Sequence, residues 1–334
     1  MPKTLQKRNF PIPQFPFLRH GQIMKPLVFI SAGDPLGIGP EVTVKSLKNP
    51  LVQQACSPVV IGEASSLLRA GFEEKLARFI NIDACECLQD ALPGPTRAGG
   101  LCSFKAVELG TKLARQSGFA LVTAPISKQS WTLADIPYTG HTEFLREQGG
   151  KEGLMMFVSG KLRCALVTEH FAIADLSSAI TKKRVFHTAR EFVSALMRLG
   201  IETPQVAVAA LNPHAGDNGK FGTEEKKILT PVIKQLQKKG IRIEGPFPSD
   251  SLWYAHAQGK YDGILCMYHD QALAPLKIAA KEPIVHITAG LKFLRTSPTH
   301  GTAFDIAGTN QADPSSMIAA ILFAAVRGKK LLSY

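Results

Sequence analysis

The chain has 334 residues, of which 45% are hydrophobic and 20% charged, and its net charge at pH 7 is +12. This composition excludes a disordered or fibrous protein, and the length admits two domains or one large lobed unit. A chain of this size removes roughly 75% of its unfolded surface from water, so neither a metal nor a disulfide is needed to build a core.

Residues 1–23 form a basic arm: Lys3, Lys7, Arg8 and Arg19 stand there without an acidic neighbour, and Pro11, Pro13 and Pro16 interrupt it. The prolines exclude the continuous apolar segment of a signal peptide. The arm reads as a disordered or mis-assigned N-terminal extension, with Met24 as the alternative start. The remaining positive charge is diluted along the chain. The pairs Lys182/Lys183, Lys226/Lys227 and Lys238/Lys239 lie in no recognisable nucleic-acid module and read as solvated faces.

From Pro26 onward, short Val/Ile/Leu/Ala runs alternate with helical patterns. "PLVFISAGD" reads as a strand, and "LGIGPEVTVKSL" as a glycine-rich turn entering a helix. "SPVVIG", "FALVT", "LRCALVTEH", "TPQVAVAALNPH", "YDGILCMYHD" and "EPIVHITAG" read as further buried strands. Between them, "SFKAVELGTKLARQSG", "VFHTAREFVSALMRLG" and "TEEKKILTPVIKQLQKKG" read as helices, the last with Thr223 as a cap and Gly240 as its stop. "DALPGPTRAGG" is the best internal hinge, because Pro93, Gly94, Pro95, Gly99 and Gly100 interrupt regular structure. "SSMIAAILFAAV" is too short to span a bilayer and reads as a buried helix. The alternation predicts an α/β architecture with a largely parallel or mixed sheet.

Cys56, Cys85, Cys87, Cys102, Cys164 and Cys266 make no dense framework and read as reduced thiols of a cytoplasmic protein, with Cys85-x-Cys87 a weak metal candidate. In open α/β folds, ligands collect beyond the carboxyl ends of strands. His170, His214 and His269 each follow a strand-like run. Three imidazoles gathered from separate strand ends would hold a divalent ion and leave positions for substrate oxygens; unrelated histidines on separate loops are the alternative. Asp250 and Asp270 are supporting carboxylates for such a site or, equally, helix caps. "TGHTEFL" places His141 and Thr142 before a helix, suited to a phosphate or carboxylate or simply to capping. Lys277, His286, Lys292, Arg295, Thr296, Ser297, His300 and Thr302 form the densest polar segment, able to present donors to a small anion. "GDPLGIGPE" does not fit the Rossmann glycine fingerprint. No G-x-S-x-G, Walker A, H-E-x-x-H or C-x-x-C occurs. The residues alone therefore predict a metal-dependent α/β enzyme acting on a small anion.

"SAGDPLGIGPE", "TAPISK", "TGHTEFL", "NPHAGDNGKFGTEE", "MYHDQALAPLK" and "RTSPTHGTAFDIAG" occur in this order and together closely resemble the PdxA family, the 4-hydroxythreonine-4-phosphate dehydrogenases. The resemblance runs from about Pro26 to the end of the chain. It implies a two-lobed, three-layer α/β/α fold like that of isocitrate and isopropylmalate dehydrogenases rather than a Rossmann domain, with residues 24–334 as one catalytic unit around a central cleft. It implies a cytoplasmic homodimer that uses NAD or NADP and a divalent metal (zinc, magnesium, manganese or cobalt) to oxidise and decarboxylate a phosphorylated hydroxy amino acid in vitamin B6 synthesis, with no nucleic-acid or membrane partner. Family metal ligands fall on His170, His214 and His269, and substrate contacts on His141, Thr142, Lys277 and Arg295. Lys277 is the candidate for proton transfer. One position departs from the family: this chain has "VHITAGLKF", so His286 stands where the family has a substrate-contacting asparagine, and Lys292 where it has proline. A dehydrogenase of a phosphorylated sugar acid, such as threonate or erythronate 4-phosphate, is the alternative within the superfamily. A basic nucleic-acid-binding protein is the alternative of another class.

Overall fold

The computed structural model describes residues 25–83, 88, 91–149 and 153–328. The basic arm and the Cys85/Cys87 pair lie outside the described residues. The strands are β1 (Leu27–Ser31), β2 (Ser57–Gly62), β3 (Arg78–Asn81), β4 (Ala120–Thr123), β5 (Leu154–Ser159), β6 (Leu162–Leu166), β7 (Val206–Ala209), β8 (Ile243–Phe247), β9 (Gly263–Cys266), β10 (Val285–Ala289) and β11 (Arg295–Ser297). They form one 11-stranded sheet in the order β3-β2-β1-β4-β11-β10-β5-β6-β9-β7-β8.

Two parallel blocks make up this sheet. β3, β2, β1, β4 and β11 are mutually parallel, as are β6, β9, β7 and β8. Between them, β10 runs antiparallel to both β11 and β5, and β5 is antiparallel to β6. The predicted α/β class with a mixed sheet is what forms, and a single Rossmann sheet is not.

Apolar side chains fill both faces, as expected of strands covered on two sides. One face carries Val28, Ile30, Val60, Met156, Val206 and Val208, packed under the helices Gly39–Leu47, Lys182–Arg198 and Ser315–Gly328. The other carries Phe29, Ile61 and Leu121 in one block, and Cys164, Ala207 and Ile264 in the other, joined by Phe157 of β5. Successive residues of a strand point to opposite faces, which divides Phe29 from Ile30 and Met156 from Phe157. Among the described residues no helix is long and apolar enough to cross a membrane.

Three sequence expectations need correction. Gly99 and Gly100 are not hinge residues: they lie in the first turn of the helix Arg97–Ser117, where Thr96 Oγ1 accepts from the Gly99 N–H at 3.0 Å. Glycine is needed at position 100 for proximity rather than flexibility, since a Cβ there would stand 2.0 Å from Ser130 O. Thr223 does not cap its helix. The segment opens as a π-helical turn, Glu225–Leu229, before the helix Thr230–Gln237, and buried Glu225 accepts from the Leu211 and Asn212 N–H groups at 2.9 and 2.8 Å. Nor are all cysteines reduced. Cys102 is disulfide-bonded, while Cys56, Cys164 and Cys266 are free and buried.

Candidate active site

The antiparallel pair β10 and β11 builds the centre of a cavity of about 570 Å³. Register sets His286 opposite Ser297 and Thr288 opposite Arg295, and across the next strand sets His286 opposite Phe157. Residues two apart share a face, so Arg295 and Ser297 turn to one side. Thr296 turns to the other, where its hydroxyl donates to Ala320 O at 2.9 Å.

Arg295 is 2% exposed and forms no ion pair among the described residues. Its Nε and Nη2 donate to Thr123 Oγ1 at 3.2 and 2.6 Å, and Nη1 donates to Thr288 Oγ1 at 2.9 Å. Burial pushes its pKa down to about 9, which leaves it cationic at neutral pH. A buried charge without a counter-charge is costly, and an anionic ligand relieves that cost. Three neighbours point the same way: His141, His286 and His300 all line the cavity, and each has a buried Nε2 atom without a hydrogen-bond partner. Buried polar atoms are nearly always paired, so three orphans on one wall mark the position of a ligand. Burial, reinforced by Arg295, holds the His141 and His286 imidazoles well below the usual histidine range, so both are neutral.

The two parallel blocks supply the rest of the wall. Thr123 comes from the end of β4 and Lys128 from the first turn of the helix Lys128–Leu133 beyond it, and Glu169 and His170 follow β6. His269, Leu273 and Lys277 recur every four residues on the helix His269–Ala279, and so face the cavity together. His141, Thr142, Glu143 and Arg146 come from the helix His141–Gly149. Arg146 is ion-paired to Glu169 and also donates to Gly153 O at 2.9 and 2.7 Å. Burial raises the Glu169 pKa against the opposing pull of Arg146.

Of the residues singled out in the sequence, His141, Thr142, His170, His269, Lys277, His286, Arg295, Ser297 and His300 meet in this one cavity. His170 and His269 are neighbours, with ring centroids 5.6 Å apart. His269 Nδ1 lies 2.7 Å from Asp270 Oδ1, which leaves Nε2 free to act as a ligand. Burial first, then Lys128, His269 and Arg146, lower the His170 pKa, which keeps it neutral and able to bind a metal. These two imidazoles would supply two of the nitrogen ligands that a divalent ion needs.

His214 does not join them. It lies on the turn Pro213–Gly219, against Phe221 at a ring-centroid distance of 6.4 Å, and it is not part of the cavity wall. Residues 214–218 of that turn all have positive φ, and the neighbouring Asn212 is held by Glu225. Among the described residues no group of three or more His, Cys, Asp or Glu side chains is placed to hold a metal. Asp250 is exposed and accepts from the Ser251 N–H at 2.8 Å, away from the cavity, and Lys292 is exposed. The "GDPLGIGPE" segment is a tight connection: the Gly37 and Ile38 N–H groups are used by Asp34 O and Thr302 O.

Sequence reasoning missed Thr123, Lys128, Glu143, Arg146 and Glu169. Glu143 and Arg146 share the helix of His141 and Thr142, and Glu169 adjoins His170, so their nearness to singled-out residues was a local signal; Thr123 and Lys128 come from another part of the chain, away from any singled-out residue.

Residues 52–324 match the family model of the pyridoxal phosphate biosynthetic protein PdxA. A 4-hydroxythreonine-4-phosphate dehydrogenase of Geobacter metallireducens is 39% identical over 322 residues, covering 90% of this chain and 95% of the relative. A Clostridium botulinum protein named provisionally as a D-threonate 4-phosphate dehydrogenase is 36% identical over 325 residues, covering 90% and 96%. The crystal structure of a 4-hydroxythreonine-4-phosphate dehydrogenase from Klebsiella pneumoniae superposes with a TM-score of 0.81 at 32% identity, covering 91% of this chain and 98% of that one.

Proposed function

Since this chain belongs to the PdxA family, an oxidoreductase family of pyridoxal phosphate synthesis, we propose that it converts 4-hydroxy-L-threonine 4-phosphate to 3-amino-2-oxopropyl phosphate by oxidation and decarboxylation. NAD or NADP is the hydride acceptor in this reading, and a divalent ion (zinc, magnesium, manganese or cobalt) assists. The observation that carries it is one cavity holding an uncompensated buried Arg295, three unpartnered imidazole nitrogens and the adjacent pair His170 and His269.

In this reading Arg295, His286 and His141 bind the phosphate or carboxylate oxygens, with Arg295 held rigid by Thr123 and Thr288. Met155, Phe157 and Leu273 form an apolar part of the wall that limits water, strengthening each polar contact in the cavity. Lys277 moves the proton of the substrate hydroxyl. His170 and His269 would hold the divalent ion, with Asp270 orienting His269. When bound, the ion supplies Lewis acidity to the reacting oxygens. The chain functions as a cytoplasmic homodimer, in which His214, remote from its own cavity, is the third imidazole for a second copy's site. The two parallel blocks act as lobes, with the cavity as the cleft between them.

A dehydrogenase of threonate or erythronate 4-phosphate is the second reading, favoured by His286 in place of the family's asparagine. The test is a substrate panel followed by NADH formation, with metal-free protein and each added ion. Metal-dependent NADH production from 4-hydroxythreonine 4-phosphate supports the first reading, and production from the sugar-acid phosphates alone supports the second. Absence of any metal response removes the histidine-bound ion. His214→Ala should weaken metal uptake and turnover together, and full activity in that variant would reject its role.

A further inference from the structure

We propose that Arg146 and Glu169 are positioning residues, whose ion pair fixes the distance between the anion-binding side of the cavity, at His141 and Thr142, and its metal side, at His170 and His269. This rests on the reading of the cavity as the site for a phosphorylated acid and a divalent ion.

The two sides belong to different parts of the sheet. The helix His141–Gly149 seats Phe144 and Leu145 in the core that covers Phe29, Ile61 and Leu121 of the first parallel block. Glu169 and His170 follow β6 in the second block, and the blocks meet through β10 and β5. Packing within either block therefore does not by itself set how far His141 stands from His170. Arg146 bridges the two. It lies one turn along the helix from Thr142, and Glu169 directly precedes His170. Arg146 Nη2 donates to Glu169 Oε1, and Nε and Nη2 donate to Gly153 O at 2.9 and 2.7 Å, just ahead of β5. A guanidinium is a rigid planar fork, so bonds to both partners at once fix its orientation.

Among the described residues the other ion pairs, Lys45–Glu41, Lys75–Glu73, Arg97–Asp135 and His269–Asp270, each stay within one block. The Arg146–Glu169 pair is the charged contact that crosses between blocks. Glu169 is its more buried partner, 16% exposed against 37% for Arg146. Removing Arg146 would leave a largely buried carboxylate unpaired beside His170, a greater loss than a fully exposed pair would bring. Arg184 does not stand in for it, because Arg184 donates to Ala179 O at 2.7 Å and lies over the Phe171 ring. A ligand that touches both sides of the cavity gains from the second contact only if the span matches it. Misplacement of a reacting group by about 1 Å costs about a hundredfold in rate.

The test is calorimetry of 4-hydroxythreonine 4-phosphate on the metal-free and the zinc-loaded full chain. Zinc should raise the affinity of the wild type for the acid, because one molecule spans both sides. Glu169→Gln and Arg146→Met should each cut that gain about tenfold or more and lower kcat about a hundredfold. The exchanged pair, Arg146→Glu with Glu169→Arg, should restore most of the gain, which separates pairing from the charge of either residue. An unchanged gain in the single variants overturns the proposal, and so does an exchanged pair that restores nothing. Single variants that circular dichroism shows to be unfolded assign the pair to stability and overturn it as well. Turnover judges the catalytic reading separately: a zinc-dependent gain that the variants lose, without oxidation of this acid or of threonate 4-phosphate, sinks that reading and leaves the proposal standing. A wild type in which zinc brings no gain overturns both.

Discussion

Thr123 Oγ1 accepts from two nitrogens of Arg295, Nε at 3.2 Å and Nη2 at 2.6 Å, across a separation of 172 residues. This contact ties the end of β4 to β11 and aims the guanidinium into the cavity. Thr123→Val keeps the shape of the side chain and removes the acceptor, which leaves two N–H groups of a buried cation unpaired. Stability should fall by about 2 kcal/mol, read by urea denaturation, and KM should rise about tenfold. Thr123→Ser should restore both, and a Thr123→Val enzyme with unchanged KM would show that the contact does not position Arg295.

Gly100→Ala separates helix propensity from packing. In an exposed helix alanine is better than glycine by about 1 kcal/mol. Here the added Cβ would meet Ser130 O at 2.0 Å. The substitution should therefore destabilise the protein by about 2 kcal/mol or more, as an overpacked contact does. A raised denaturation midpoint would refute the close approach of the two segments.

His256 gives the stability a pH dependence. It is 2% exposed. Its Nε2 accepts from the Arg163 N–H at 3.0 Å, so Nδ1 carries the hydrogen given to Tyr261 O at 3.0 Å. Burial, the largest influence, lowers its pKa below 6.5, and burial acts in the same direction on His141, His170 and His286. The folded chain refuses protons that the unfolded chain takes up. Stability is therefore full above the unfolded histidine value of about 6.5 and declines as pH falls from there toward the lower folded values. His256→Leu should cost about 2 kcal/mol at pH 7.5 and make the acid decline shallower. A wild-type denaturation midpoint that stays flat from pH 7.5 to 5 would contradict this linkage.

Asp270 is the partner of His269 Nδ1 at 2.7 Å. Such a carboxylate fixes the tautomer and orientation of a ligating ring, and losing it lowers metal affinity by about 10–100-fold. Asp270→Asn should lower zinc affinity within that range in competition titrations, with little change in stability because the pair is exposed. Unaltered zinc binding would show that Asp270 does not support His269 as a ligand of the proposed ion.

Apolar runs in the sequence mark β1, β2, β4, β6, β7, β9 and β10 as buried strands. That reading passes over β5, although "LMMFVS" is such a run and is buried throughout, and β8, whose "IEGPF" is broken by Gly245 and Pro246. β3, with a half-exposed "RFIN", and β11, with only "RTS", lack any such run because their place is set by pairing with neighbours. In the same way, Gly99 and Gly100 look like loop residues because local composition carries no information about the approach of Ser130.

By itself the sequence determined the α/β class and the family, and it pointed to much of the polar wall: His170 and His269 from their strand-end positions, His141 from its place before a helix, and Lys277, His286 and Arg295 from the dense polar segment and the family motifs. Tertiary structure alone decided that His170 and His269 are neighbours while His214 stands apart, and that Arg295 has hydroxyl partners and no carboxylate. It also decided that His286 meets Arg295 through Nδ1 and leaves Nε2 without a protein partner in the cavity wall. Strand periodicity fixes which face a side chain takes, but distances between residues more than a hundred positions apart depend on sheet order and register, which no local pattern encodes.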